Sequence, residues 1–361
     1  MGASGPPLRE LVEQRCILIC CGSGGAGKTT IAAVLALEAA RAGRRAVVVT
    51  IDPAKRLADA LGLEGLTGSP SRIEGDWPGE LWALMLDTKS TFDDLVAANA
   101  STPEQGQRIL DNRFYRNISG ALSGTQEYMA MEKLYELHQR TDFDLVVVDT
   151  PPTRNALDFI DAPRRLSRFL DHRLFRMITA PGRGVMKAVN VAAQTFLRTV
   201  AKVVGAEVID DAVAFFQAFE GMEEGFRARA DAVLQLLSDD DTAFVLVASP
   251  RRDTIEEAQF FAAKLAEADI AVRALVVNRM HPTFGEGLAE ATSARAATLD
   301  GTDLGSLYRN LADFQLVASR EEEHIAGLAE AVAPAPVVRV PFLPTDVHDL
   351  DGLTEVARFL L

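Results

Sequence analysis

Residues 17–55 read ILICCGSGGAGKTTIAAVLALEAARAGRRAVVVTIDPAK, and their centre decides the fold. Gly22-Ser23-Gly24-Gly25-Ala26-Gly27-Lys28-Thr29-Thr30 follows a short apolar run and precedes a stretch of helix formers. The spacing Gly22-x4-Gly27-Lys28-Thr29 is that of a phosphate-binding loop between a buried strand and a helix. The glycines let successive backbone N–H groups turn inward around phosphates, and the helix N-terminus adds its positive dipole. In such a loop Lys28 reaches the β- and γ-phosphates, the Thr29 hydroxyl ligates Mg²⁺, and Thr30 touches the α-phosphate. The pattern therefore predicts a nucleoside triphosphate and Mg²⁺ as cofactors.

Outward from this loop the chain alternates buried strands and helices. Cys16–Cys21 reads as the first strand and Thr29–Ala42, with Ile31, Val34, Leu35 and Leu37 on an apolar face, as a helix stopping at Gly43. Further strands are expected at Ala46–Ile51, Leu81–Leu86, Asp144–Val148, Ala243–Ala248, Val272–Asn278 and Val337–Val340. Unbroken Val, Ile and Leu runs spaced by helical stretches indicate a mostly parallel sheet covered on both faces, an α/β phosphate-loop fold. Between Phe159 and Leu237 the apolar residues recur at helical spacing and no strand stands out. Pro181-Gly182-Arg183-Gly184 breaks that region, and Phe215, Phe216, Phe219, Met222 and Phe226 form one stripe. We read residues 1–361 as a single domain carrying a helical subdomain, 159–237, inserted within it.

Composition narrows the class. A net charge of −14 repels a phosphate backbone, so nucleic acid is not an expected partner. No apolar run reaches the roughly 18–20 residues that span a bilayer. The first residues carry Glu10 and Glu13 without a continuous apolar core, unlike a secretion signal. The three cysteines, Cys16, Cys20 and Cys21, lie in or beside one expected strand and read as small core residues of a reducing, cytoplasmic protein.

Two more segments follow strands and so reach the sheet edge where open α/β folds bind ligands. They are Thr50-Ile51-Asp52-Pro53-Ala54-Lys55-Arg56 and Val148-Asp149-Thr150-Pro151-Pro152-Thr153-Arg154. Asp149 ends an apolar strand, as an acidic residue holding Mg²⁺ through water should.

GSGGAGKTT, IDPAKRLADAL and DTPPTRNALDF, in that order, resemble the ATPase family of the arsenite-pump ATPase and the targeting factor for tail-anchored membrane proteins, a SIMIBI-class group. The chain looks most like the actinobacterial anion-transporting ATPase members, and the resemblance extends over nearly its whole length. It implies that Asp52 is the catalytic switch I aspartate that polarises the attacking water, and that Asp52 belongs with Thr29 and Asp149 to the metal site. It implies that Asp149 opens switch II, that Asn278 recognises adenine, and that the loop 341–348, with Pro341, Phe342 and Leu343, packs over the base. It also implies that the nucleotide is ATP and that the protein is a dimeric, hydrolytic nucleotide switch.

The chain departs from that pattern at Ser23, where many relatives carry a lysine that reaches the partner's phosphates. A serine cannot span that gap. Either a lysine-bearing paralogue completes a heterodimer, or Lys55, Arg56 or Arg154 substitutes in a homodimer, or hydrolysis is weak. Arg251 stands where relatives often have glutamate. No cysteine follows Val277-Asn278-Arg279-Met280-His281-Pro282, so the zinc site of the targeting factors is not expected. Three functions share this nucleotide site: handling a hydrophobic or membrane-protein client, energising an oxyanion efflux partner in the membrane, or positioning cargo. Met177, Met186 and Phe196, with the 215–222 stripe, motivate the first. The cysteines cluster at strand one, which argues against a metalloid site. The expected location is cytoplasmic, peripheral at the membrane at most.

Overall fold

The computed structural model describes residues 7–52, 56–118, 125–140, 142–151, 162, 164–165, 168, 206–285 and 287–361. Among them, contacts divide the chain into two units: Met1–Met85 with Arg140–Leu157 and Asp240–Leu361, and Leu86–Gln139 with Asp158–Asp239.

The first unit holds one 8-stranded sheet in the order β3-β4-β2-β5-β1-β6-β7-β8. Its strands are β1 Ile17–Gly22, β2 Arg45–Thr50, β3 Ser71–Ile73, β4 Glu80–Met85, β5 Leu145–Asp149, β6 Thr242–Ala248, β7 Val272–Met280 and β8 Val337–Pro341. All neighbours pair in parallel except β3, which runs antiparallel to β4. Each strand read from the sequence is present, shifted at its ends by one or two residues. The exception is β3: it is only three residues long, and two of them are exposed, so no apolar run announces it.

β1, β5 and β6 are buried throughout, as strands covered on both faces must be. The chain moves from β1 to β2 and β4 on one side, returns through β5, and then builds β6, β7 and β8 on the other. That reversal beside β1 makes the crevice at the strands' C-terminal ends the natural ligand site.

The helix after β1, Lys28–Arg41, is buried on more than the one face expected: Ile31 through Leu37, Ala39 and Ala40 are all in the core. Its alanines allow this, because neighbouring elements can approach every side. It packs on β1, β2 and β5 and also meets the helices Pro7–Gln14, Arg56–Ala60 and Leu350–Leu360. Gly43, at φ 89°, supplies the left-handed residue that turns the chain towards β2.

The second unit is helical among its described residues: Thr88–Asn99, Pro103–Leu110, Arg113–Ile118, Thr125–Gln139, Ala206–Ala218 and Glu223–Ser238. Asp87 and Thr102 cap the first two helices, accepting from Ser90 N and Gln105 N. The apolar stripe is this unit's core. Phe215, Phe219, Met222 and Phe226 are buried with Tyr115, Tyr128 and Met129, and Phe216 packs against them. Gln105 Nε2 donates to the carbonyls of Ala218 and Glu220, tying the stripe to the helix Pro103–Leu110. Met177, Met186, Phe196 and the 181–184 break lie outside the described residues.

Candidate nucleotide-binding site

β1 runs directly into the phosphate loop. A Cβ on Gly22, at φ 139°, would lie 1.9 Å from the Val247 carbonyl oxygen, so only glycine lets the loop leave the sheet here. Gly27, at φ 96°, precedes Lys28–Arg41 without any side-chain cap, which leaves the first helical N–H groups available to a ligand. A serine, threonine or aspartate at position 27 would have competed for them.

Lys28 is buried, and its Nζ donates to the carbonyls of Gly22 (3.1 Å) and Ser23 (3.0 Å). Burial lowers the pKa of its ammonium, and the Asp149 carboxylate opposes that shift. Ser23 is fully buried, and among the described residues its hydroxyl has no hydrogen-bond partner. Thr30 lies on the first turn of the same helix, half-buried.

Asp149 is the electrostatic centre. It ends β5, opposite Cys20 of β1 and Thr50 of β2 in register, and is 1% exposed. Thr29 Oγ1 donates to its Oδ2 at 2.7 Å and Thr50 Oγ1 donates to the same oxygen at 3.0 Å. Among the described residues its buried Oδ1 has no partner. Burial pushes its carboxyl up to about 6, with the two hydroxyls and Lys28 pulling the other way and Asp52 adding to the rise. A hard cation or its water shell suits an uncompensated carboxylate oxygen beside a threonine hydroxyl, because such ions take oxygen ligands. The donor set therefore fits Mg²⁺.

Thr50 carried no assigned role in the sequence reading. It could have been noticed as a hydroxyl closing an otherwise apolar strand. Its register with Asp149 is what brings the two together.

Asp52, half-buried, follows Thr50 by two residues, and its N–H donates to the Thr50 hydroxyl at 3.3 Å. Arg56 lies 3.4 Å from its Oδ2. Lys55 and Arg154 lie outside the described residues. Arg251 is exposed and paired with Asp253.

Asn278 closes the site from β7. It is 9% exposed and donates from Nδ2 to the Ala26 carbonyl at 2.9 Å. Three residues on, the His281 ring stacks on Phe342 at 6.2 Å between centroids. Phe342 is exposed, and its N–H donates to Met280 O at 2.7 Å. Glu321 receives both the His281 ring nitrogen (2.6 Å) and its backbone N–H (2.7 Å), an aromatic platform that sequence spacing gave no hint of. Pro341 ends β8 beside Met280, while Leu343 packs against the sheet core.

Phosphate loop, strand-end aspartate and strand order together define a phosphate-loop nucleoside triphosphatase fold. The family model described as "anion-transporting ATPase" matches residues 15–300, and the chain belongs to that family. Curated relatives include the ATPase GET3 of Malassezia globosa, 26% identical over 170 residues, and the ATPase asna-1 of Caenorhabditis elegans, 27% over 172. These matches take in 46% and 45% of this chain and span about half of each relative (49% in both). The ATPase GET3 of Podospora anserina is 24% identical over 300 residues, 81% of this chain and 82% of that protein.

Proposed function

We propose that the chain is a Mg²⁺-dependent ATPase that hydrolyses ATP to ADP and phosphate, working as a dimeric nucleotide switch that handles a hydrophobic or membrane-protein client. The observation that carries the nucleotide reading is Asp149, a buried carboxylate with one oxygen held by Thr29 and Thr50 and the other without a partner. Thr29 and Asp149 would hold Mg²⁺, which when bound neutralises charge on the β- and γ-phosphates.

The rest is the work of the chain. The uncapped helix start and the loop N–H groups receive phosphate oxygens, and Lys28 exchanges the Gly22 and Ser23 carbonyls for the β/γ bridge. Asp52 orients water for in-line attack, with Asn278 and the 341–343 segment beside the base. Arg56 is paired to Asp52, and we assign it the charge that Ser23 lacks. The client reading rests on the family resemblance, since the described part of the aromatic stripe is spent on its own core.

Phosphate release tests this directly. Chelating Mg²⁺ abolishes it in the wild type. Lys28→Ala loses ATP binding, and Asp52→Asn keeps binding but loses hydrolysis by about 100-fold or more, the scale on which proton-handling and positioning groups act. Asp52→Asn turning over at the normal rate would refute the catalytic assignment. Turnover per chain that rises with protein concentration supports the dimer. The family's description also favours a second reading, an energiser of anion export. Stimulation of turnover by arsenite would put that reading first, whereas recovery of membrane proteins on ATP-locked protein supports the client.

A further inference from the structure

The phosphate loop is held from outside by two consecutive residues of β7. Asn278 Nδ2 donates to Ala26 O at 2.9 Å, and Arg279 Nη1 donates to Gly25 O at 3.4 Å. The orientation of the Asn278 amide is fixed by its surroundings. Its Oδ1 accepts from the Arg279 N–H at 2.9 Å, and a carbonyl on the other side can only accept, so the nitrogen must face Ala26. The contact is also sterically matched. A Cβ on Gly27 would sit 2.2 Å from Asn278 Nδ2, so the amide occupies the space that a side chain at 27 would fill. Arg279 adopts φ 63°, an uncommon conformation for a residue with a Cβ, which costs on the order of 1 kcal/mol. Strain at that point is what places two successive donors over two successive carbonyls.

In a trans peptide the C=O and the next N–H point in opposite directions. Holding the Gly25 and Ala26 carbonyls towards β7 therefore turns the N–H groups of Ala26 and Gly27 away from it, into the concavity of the loop. We infer that Asn278 and Arg279 are positioning residues that pre-form the polyphosphate cradle, a role independent of any contact with the base. Lys28 does the equivalent at the other end of the loop, on the carbonyls of Gly22 and Ser23. This rests on the nucleotide reading above and adds a second task for Asn278.

Inorganic tripolyphosphate, which has no base, separates the two tasks. Titration calorimetry of the full chain with Mg²⁺-tripolyphosphate, ATP and GTP is expected to show Asn278→Ala weakening tripolyphosphate about tenfold and the two nucleotides by at least that factor. Asn278→Asp, which puts an oxygen against the Ala26 carbonyl, should weaken them further. Arg279→Gly keeps the left-handed backbone, loses the Gly25 contact, and should cost about threefold. It also serves if the Asn278 variants fail to fold. An Asn278→Ala protein that loses ATP affinity while binding tripolyphosphate as the wild type does would overturn the inference and leave a base contact only. A wild-type chain that binds neither ATP nor tripolyphosphate would overturn the nucleotide reading itself. Asn278 variants with a lowered melting temperature and unchanged affinities for all three would overturn the positioning inference, leaving a structural role alone.

Discussion

Each unit of the molecule buries a carboxylate, and the two are treated in opposite ways. Glu132, in the helical unit, is 2% exposed, with Tyr128 Oη donating to Oε1 at 2.7 Å and Arg229 Nε donating to Oε2 at 2.7 Å. Arg229 also lies over the Tyr135 ring at 4.0 Å. Asp149, in the sheet unit, is buried just as deeply, yet receives two hydroxyls on one oxygen and nothing on the other. Among the described residues, the buried side-chain polar atoms without partners are Arg15 Nε, Ser23 Oγ, Asp149 Oδ1 and Gln315 Oε1, all in the sheet unit. A buried polar group left open costs free energy. At Asp149 the open oxygen belongs to the carboxylate we assign to Mg²⁺, whereas both oxygens of Glu132 are spent holding side chains of its own unit.

Breaking the Glu132 side of this comparison should have the largest effect. Glu132→Ala strands the Tyr128 hydroxyl and the Arg229 guanidinium. Loss of one partner from a buried pair costs about 3–5 kcal/mol, and Arg229 is partly solvated, so about 3 kcal/mol is expected. Urea unfolding followed by circular dichroism reads it, and ATP affinity measured well below the transition should be unchanged.

The Asp149 side should move the other way. In the unfolded chain this carboxyl titrates near 3.8, whereas in the folded chain burial holds its proton up to about 6. Between those values the folded state binds more protons, so stability falls as pH rises through the window and the full deficit is present above it. Asp149→Asn carries no such deficit. Without ligand at pH 8 it should be more stable than the wild type by on the order of 2 kcal/mol. The advantage should vanish by about pH 4, while ATP turnover is lost at every pH. Melting curves of both proteins across that range decide it. A variant less stable than wild type at pH 8 would mean that the open oxygen is not a liability in the folded chain.

The smallest effect belongs to Ser23. Replacing a buried hydroxyl without a partner by a methyl group is close to neutral, so Ser23→Ala should change stability by less than about 1 kcal/mol in the stabilising direction. Ser23→Lys tests the same position harder. Its ammonium must leave a fully buried site, so the variant should melt lower and gain no turnover. A faster enzyme would show that the loop opens readily and that the missing lysine limits it.

Legibility followed the same division. Gly22, Gly27, Lys28, Thr29 and Asp149 could be read because phosphate and metal chemistry demand particular residue types at a fixed spacing or at a strand end. The buried strands could be read because two covered faces require unbroken apolar runs. Edge strand β3 escaped because two of its three residues are exposed and carry no such signal. The Phe215–Phe226 stripe was visible as apolar, but its spacing cannot say whether it faces a client or its own neighbours. Packing with Tyr115, Tyr128 and Met129 answers that for the described residues.

By itself, then, the sequence determined a phosphate loop, the strand before each functional segment, and a parallel sheet, since these depend on local residue type and period. Only the tertiary structure decided which partners meet across chain separation. Strand register set Thr50, and the start of the helix Lys28–Arg41 set Thr29, on one oxygen of Asp149. The left-handed turn at Arg279 laid Asn278 over the Ala26 carbonyl, 252 residues away along the chain. No local pattern encodes such distances, because they follow from how separate strands stack beside one another.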